Sequence, residues 1–201
     1  MELKEAIEKR RSIRKFKPDP VPDQLITEIL EAARLAPSGT NLQPWRFVVV
    51  KSAEMKEKLR DGIPLRFITR APVIFICCAE LAAVKSAGER MAELVNAGAF
   101  DPGDFDGLDP SAYRSGSMDA AAAAAYLSLN VAIAIQNMAL RAVDLGLGSC
   151  WAMMFSQDKV KSALGLGDHL HVVAVLPVGY PDQDPAPRPR LPRASLVLKT
   201  V

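Results

Sequence analysis

The chain has 201 residues, 49% of them hydrophobic and 24% charged, with a formal net charge of +2. That length and balance suit one soluble globular domain with a full hydrophobic core, and they give no global field that would point to nucleic acid or a membrane. Cys77, Cys78 and Cys150 lack disulfide-framework spacing, and two histidines without a CxxC or HExxH pattern leave no zinc motif.

In chain order, MELKEAIEKRR reads as a helix over residues 2–11, with Leu3, Ala6 and Ile7 on one face and Arg10 and Arg11 complementing the dipole at its end. It lacks the apolar core of a signal peptide, so a cytoplasmic location is expected. Pro18, Pro20 and Pro22 then impose an extended link. Asp23 is placed as the cap of a second helix, Gln24 to Ala36, whose apolar positions are Leu25, Ile26, Ile29, Leu30 and Ala33. A polar loop over residues 37–44 leads to a strand at Arg46 to Val50, and Ser52 caps a short helix ending at Leu59. Ala71 to Ala79 is a continuous apolar run, the pattern of a buried strand, and a helix from Ala82 to Asn96 follows.

Residues 100–116 hold four aspartates, three glycines and two prolines, the composition of an exposed, lid-like insertion. Asp104 and Asp106 there lack the spacing and terminal glutamate of a calcium loop, and no metal site is expected. Asp119 starts a long alanine-rich helix that runs to Leu145 and ends at Gly146 and Gly148. Its apolar stretch, Ala120 to Ala142, is interrupted by Asn130, Gln136 and Asn137, so it reads as a helix buried between subunits rather than a membrane span. Ser156 caps a helix to Leu164, and His171 to Val178 is the last strand. Six prolines between Pro177 and Pro192 make the tail, residues 180–201, extended. Helices outweigh three or four strands, an α+β pattern of helices flanking a small sheet in a single domain spanning 1–201. The absence of GxGxxG after the first strand gives no support for a Rossmann dinucleotide site.

Four segments carry candidate chemistry. Arg10-Arg11-Ser12-Ile13-Arg14 sets three guanidinium groups and a hydroxyl at a helix end, where they can grip a phosphate or form a solvated basic turn. Pro37-Ser38-Gly39-Thr40-Asn41-Leu42-Gln43 is dense in groups that hydrogen-bond a polar heterocycle. Gly146-Leu147-Gly148-Ser149-Cys150-Trp151 permits close approach of backbone to a planar ligand, or serves as a plain helix stop. Arg188-Pro189-Arg190 holds alternate arginines on an extended chain. The stretch Lys9 to Lys17 also allows a nucleic-acid-binding reading, which the modest net charge disfavours.

Taken together, RRSIRKF, APSGTNLQPWRF and LGLGSCW resemble the signatures of the nitroreductase family of flavoproteins, over Ala6 to Val197. The resemblance implies an intertwined homodimer with FMN at the dimer interface, NADH or NADPH as electron donor, and a nitroaromatic, quinone or related small molecule as acceptor in a ping-pong cycle. By the same resemblance Arg10, Arg11, Ser12 and Arg14 contact the FMN phosphate, ribityl chain and ring edge, Arg190 with Arg188 closes on the phosphate from the tail, and Pro37, Ser38, Asn41 and Gln43 come from the partner chain. Trp151, Met153 and Met154 lie along the ring, with the Met154 N–H as the candidate donor to flavin N5. The family often has glycine or an acidic residue where this chain has Met153-Met154, which predicts a softer and more apolar pocket. Arg66, Phe100, Phe105 and Tyr113 are candidates for substrate or lid contacts, and Arg66 also for a flavin carbonyl. No side chain is assigned as a catalytic acid or base, because flavin carries the chemistry. Oxygen-dependent flavin cleavage, reductive dehalogenation and flavin binding without turnover are the alternatives within the same family.

Overall fold

The structure, a computed structural model, describes residues 1–101, 103–105, 107, 109 and 118–201. Seven α-helices surround one four-stranded sheet among the described residues, an α+β architecture. The helices are α1 (Leu3–Lys9), α2 (Asp23–Arg34), α3 (Ala53–Leu59), α4 (Arg66–Arg70), α5 (Ala87–Asn96), α6 (Ala120–Asp144) and α7 (Gln157–Leu164). The strands are β1 (Trp45–Val50), β2 (Val73–Glu80), β3 (Gly148–Ser149) and β4 (Leu170–Gly179), arranged β1-β2-β4-β3 with every pair antiparallel.

The continuous apolar run of β2 follows from its place at the centre, where both faces are covered. Val73, Phe75, Cys77 and Ala79 face the layer of α2, α5 and α6, while Ile74, Ile76 and Cys78 face α3, α4 and α7. A bulge keeps β4 in step with this division. Cys77 pairs with Ala174 but Cys78 pairs with Val172, so Val173 is the extra residue, and Val172 and Val175 reach the same face although three apart. Without it, a one-residue slip would turn half of β4 away from its layer.

The α2 periodicity is realised, with Ile26, Ile29 and Ala33 buried against α6. Asp23 is the first residue of that helix rather than its cap; Pro22 occupies the cap position with no side chain to serve it. Ser52 and Asp119 do cap α3 and α6, accepting from the Met55 and Ala122 N–H groups. The predicted helix over 82–96 divides into a 3-10 turn, Leu81–Ser86, and α5, because Glu80 accepts from Ala82 N–H and Ser86 Oγ donates to the Ala83 carbonyl at 2.8 Å. Helix α1 stops at Lys9, and the Arg11 guanidinium donates to the Glu8 and Arg10 carbonyls just past the last turn.

Helix α6 is long and apolar enough by length and composition to cross a membrane, yet it forms the spine of the fold. Leu127, Val131, Ile135 and Met138 are buried against the sheet and α2. Its other face leaves Leu129 at 68% and Ile133 at 42% exposure in the single chain.

Candidate functional site

The basic opening segment becomes a ribbon beside the short edge strand β3. Ser12 bridges Ser149 in parallel, and the Ile13 N–H donates to the Ser149 carbonyl at 2.9 Å. Further on, Phe16 bridges Pro181, the Lys17 N–H reaches the Tyr180 carbonyl and the Asp182 N–H reaches the Lys15 carbonyl. The same ribbon therefore fixes the start of the extended tail. Gly148 makes the close approach possible: a Cβ there would meet Ile13 Cγ1 at 2.6 Å. Gly146, at φ 75°, turns the chain out of α6 and into β3.

These contacts bring the two ends of the chain to one cavity of about 240 Å³ lined by Arg10, Arg11, Ser12, Arg14, Arg188 and Arg190, with Pro185 and Ala186. Five arginines line it and no carboxylate does. Their field reaches Cys150 behind the cavity. Burial pushes that thiol up, while Arg14, a Ser12 hydrogen bond and Arg10 pull against the rise. A concave, uncompensated cluster of planar forked donors with one hydroxyl has the chemistry of a phosphate site.

The next turn follows β3. Ala152 is tied to Val175 in both directions, but no described group accepts from the Met153 or Met154 N–H. Both methionine side chains are largely exposed, at 70% and 61%. Ser149 Oγ and Trp151 Nε1 are buried without a partner among the described residues, leaving unmet hydrogen-bonding capacity on either side of Cys150.

The loop with Pro37, Ser38, Asn41 and Gln43 stands elsewhere. It is strained: Thr40, Asn41 and Gln43 have φ of 47°, 53° and 47°, the left-handed region that residues with a Cβ enter at a cost. Ser38 Oγ accepts from the Gln43 N–H at 3.0 Å, and Gln43 Nε2 donates to Asn41 Oδ1 at 3.1 Å. The loop is anchored to α6 by a residue that sequence reasoning treated only as a polar interruption. Asn130, buried, accepts the Gly39 N–H at 2.7 Å through Oδ1 and donates to the Tyr126 carbonyl at 2.8 Å. Gly39 has no room for a side chain, since a Cβ would lie 2.0 Å from Tyr126 Oη. The available signal was an asparagine between apolar neighbours in a long alanine-rich helix, a position that must be hydrogen-bonded when buried.

Within one chain this loop does not line the arginine cavity. Its anchor, Asn130, lies 14 residues before the end of α6, about 21 Å along the axis from the turn that carries β3. Arg66 lies apart from both, at the first position of α4 in a separate cavity. Phe100 and Phe105 meet edge to face with ring centroids 5.1 Å apart, and Tyr113 lies outside the described residues. Among the described residues no group of three His, Cys, Asp or Glu side chains could hold a metal ion.

Known proteins share this fold. A family model described as the nitroreductase family matches residues 7–180. A Thermus thermophilus protein named NADH dehydrogenase is 35% identical over 201 residues, covering 98% of this chain and 96% of its own. An Exiguobacterium sibiricum structure solved in complex with FMN superposes with a TM-score of 0.83 at 23% identity, over 100% of this chain and 98% of that one. A Streptococcus pneumoniae nitroreductase family protein gives a TM-score of 0.81 at 26% identity, over 99% and 100%.

Proposed function

The chain belongs to the nitroreductase family, and from that premise we infer that it is an FMN-dependent oxidoreductase that uses NADH or NADPH to reduce a small oxidised organic molecule such as a nitroaromatic or quinone. The observation that carries this reading is the cavity where Arg10, Arg11, Ser12, Arg14, Arg188 and Arg190 converge without a counter-charge. These residues fit FMN. Its phosphate would take the guanidinium forks and the Ser12 hydroxyl, which together supply more donors than a phosphate has oxygens.

FMN, when bound, would supply the two-electron redox chemistry between nicotinamide and acceptor. The chain's own residues bind, orient and exclude water. The unpartnered Met153 and Met154 N–H groups can donate to a ring nitrogen, with Met154 the candidate for N5 and Trp151 lying beside it. The exposed methionine side chains provide a soft apolar border that keeps water from the reacting face. Donor and acceptor taking the same place beside the cofactor in turn would give ping-pong kinetics.

The site is completed in a homodimer. Pro37, Ser38, Asn41 and Gln43 sit too far along α6 to reach their own arginine cavity, so a two-fold partner would supply them. The exposed Leu129 and Ile133 on α6, with Leu3, Ile7 and Leu35 nearby in the α1 and α2 layer, provide an apolar face for that partner. Residues 1–201 then act as one domain, with Phe100 and Phe105 as candidates for substrate contact and 180–201 as the tail that delivers Arg188 and Arg190. Three free thiols suit a reducing cytoplasmic location.

The test is the visible spectrum of the purified protein with identification of the released cofactor. About one FMN per chain, followed by reduction with NADH or NADPH and turnover of a quinone or nitroaromatic, is expected. Colourless protein that takes up no added FMN sinks the reading. Flavin that is bound but inert toward both nicotinamides sinks its catalytic part.

A further inference from the structure

A second basic cluster lies between α3 and α4, on the face of the sheet that Ile74, Ile76 and Cys78 present. Helices α3 and α4 enclose a cavity of about 330 Å³ whose charged lining is Lys51, Lys56, Arg60, Arg66, Arg70 and Glu57. It is formed by α3, α4 and Lys51, and none of its lining residues lines the Arg10–Arg190 cavity. The volume falls at the small end of the range for ligand sites, about 300–1,000 Å³.

The charge balance is uneven. Glu57 pairs with Arg60 and Asp23 with Lys51. Lys56, Arg66 and Arg70 have no carboxylate partner among the described residues. Arg66 and Arg70 are one helical turn apart, so their forks share a face of α4. Lys56 is half-buried, and its ammonium is oriented by donation to the Pro72 carbonyl at 2.6 Å, which leaves two of its three protons free. Burial holds that ammonium below the usual lysine range, the condition in which a nearby anion is most favourable. Three unanswered cations around one concavity repel each other unless a multivalent anion joins them.

We propose that this α3–α4 cavity binds a condensed phosphate, either free diphosphate or the diphosphate of a nucleotide, through Arg66, Arg70 and Lys56. A single phosphate monoester carries about −1.5 to −2 charge, so three cations are matched by two linked phosphates rather than by one. The guanidinium forks suit phosphate oxygens, and the Lys56 ammonium acts as a point charge between them. This site is independent of the flavin reading: it shares no residue with the Arg10–Arg190 cavity.

The experiment is isothermal titration of the protein as purified with inorganic pyrophosphate, and separately with ADP, against sodium chloride at matched ionic strength. Saturable binding of pyrophosphate, about one per chain, is expected, weakened about tenfold or more by Arg66→Gln or Arg70→Gln. Glu57→Gln removes the competing carboxylate and tightens binding, a change that a misfolded variant could not mimic. ADP binding tighter than pyrophosphate identifies the nucleotide source; weaker ADP binding identifies the free anion. Heat that only follows ionic strength overturns the proposal. So does binding that survives both α4 substitutions and is lost in Arg188→Gln, since that would place the anion in the other cavity.

Discussion

Replacing Asn130 with alanine tests whether the Ser38–Gln43 loop is a pre-set part of the site. The substitution deletes two hydrogen bonds, to Gly39 at 2.7 Å and Tyr126 at 2.8 Å, from a buried side chain. Each is worth about 1 kcal/mol net, and the Gly39 amide lies near enough to solvent that its loss falls at the lower end. The loop holds Thr40, Asn41 and Gln43 in the left-handed region, at about 1–2 kcal/mol for an ordinary residue and less for asparagine. Asn130 is the bond that ties this strained loop to α6, so its removal lets the loop relax. The expected stability loss is about 1–2 kcal/mol, a fall in melting temperature of about 2–8 °C for a chain this long. FMN affinity should weaken by about tenfold, the equivalent of 1.4 kcal/mol. Flavin fluorescence gives the affinity, and amide exchange at Gly39 reads the bond directly. A melting temperature that falls while FMN affinity and Gly39 protection stay at wild-type values would refute the reasoning and leave Asn130 a packing residue only.

The remaining expectations concern other parts of the molecule. Gly148→Ala puts a Cβ 2.6 Å from Ile13, so it should prise the opening ribbon from β3 at about 1–3 kcal/mol and lower FMN content; wild-type stability and flavin content would show that the ribbon is not seated as described. Arg188→Gln and Arg190→Gln should each raise the FMN dissociation constant about tenfold or more and flatten its salt dependence, measured by fluorescence titration at two ionic strengths; an unchanged constant would remove the tail from the site. The thiols give a pH test. Burial pushes Cys77 up, Cys78 to about 11 and Cys150 up, from an ordinary value of 9.0. The unfolded chain therefore releases these protons first as pH rises, so their contribution to stability is complete below pH 9 and is lost toward pH 11. Urea melts between pH 8 and 11 should show that decline, and a thiol reagent at pH 8 should label all three cysteines only after unfolding; rapid labelling of the native protein would contradict the burial.

What the sequence determined by itself is local. The nine-residue apolar run at Ala71 to Ala79, the spacing of Ile26, Ile29 and Ala33, and the caps at Ser52 and Asp119 announce their elements because sterics, capping and burial periodicity act within a few residues. The signature segments RRSIRKF, APSGTNLQPWRF and LGLGSCW likewise mark the family locally, within the matched residues 7–180. Tertiary structure alone decided how distant segments meet. Arg10 and Arg190 share a cavity because Ser12 bridges Ser149 and Phe16 bridges Pro181, contacts that depend on register rather than composition. Asn130 became the anchor of the strained loop, and Arg66 fell into a separate basic cavity between α3 and α4, for the same reason. The Val173 bulge reset which face of β4 meets which layer, and no local pattern encodes a choice whose energy comes from packing both layers at once.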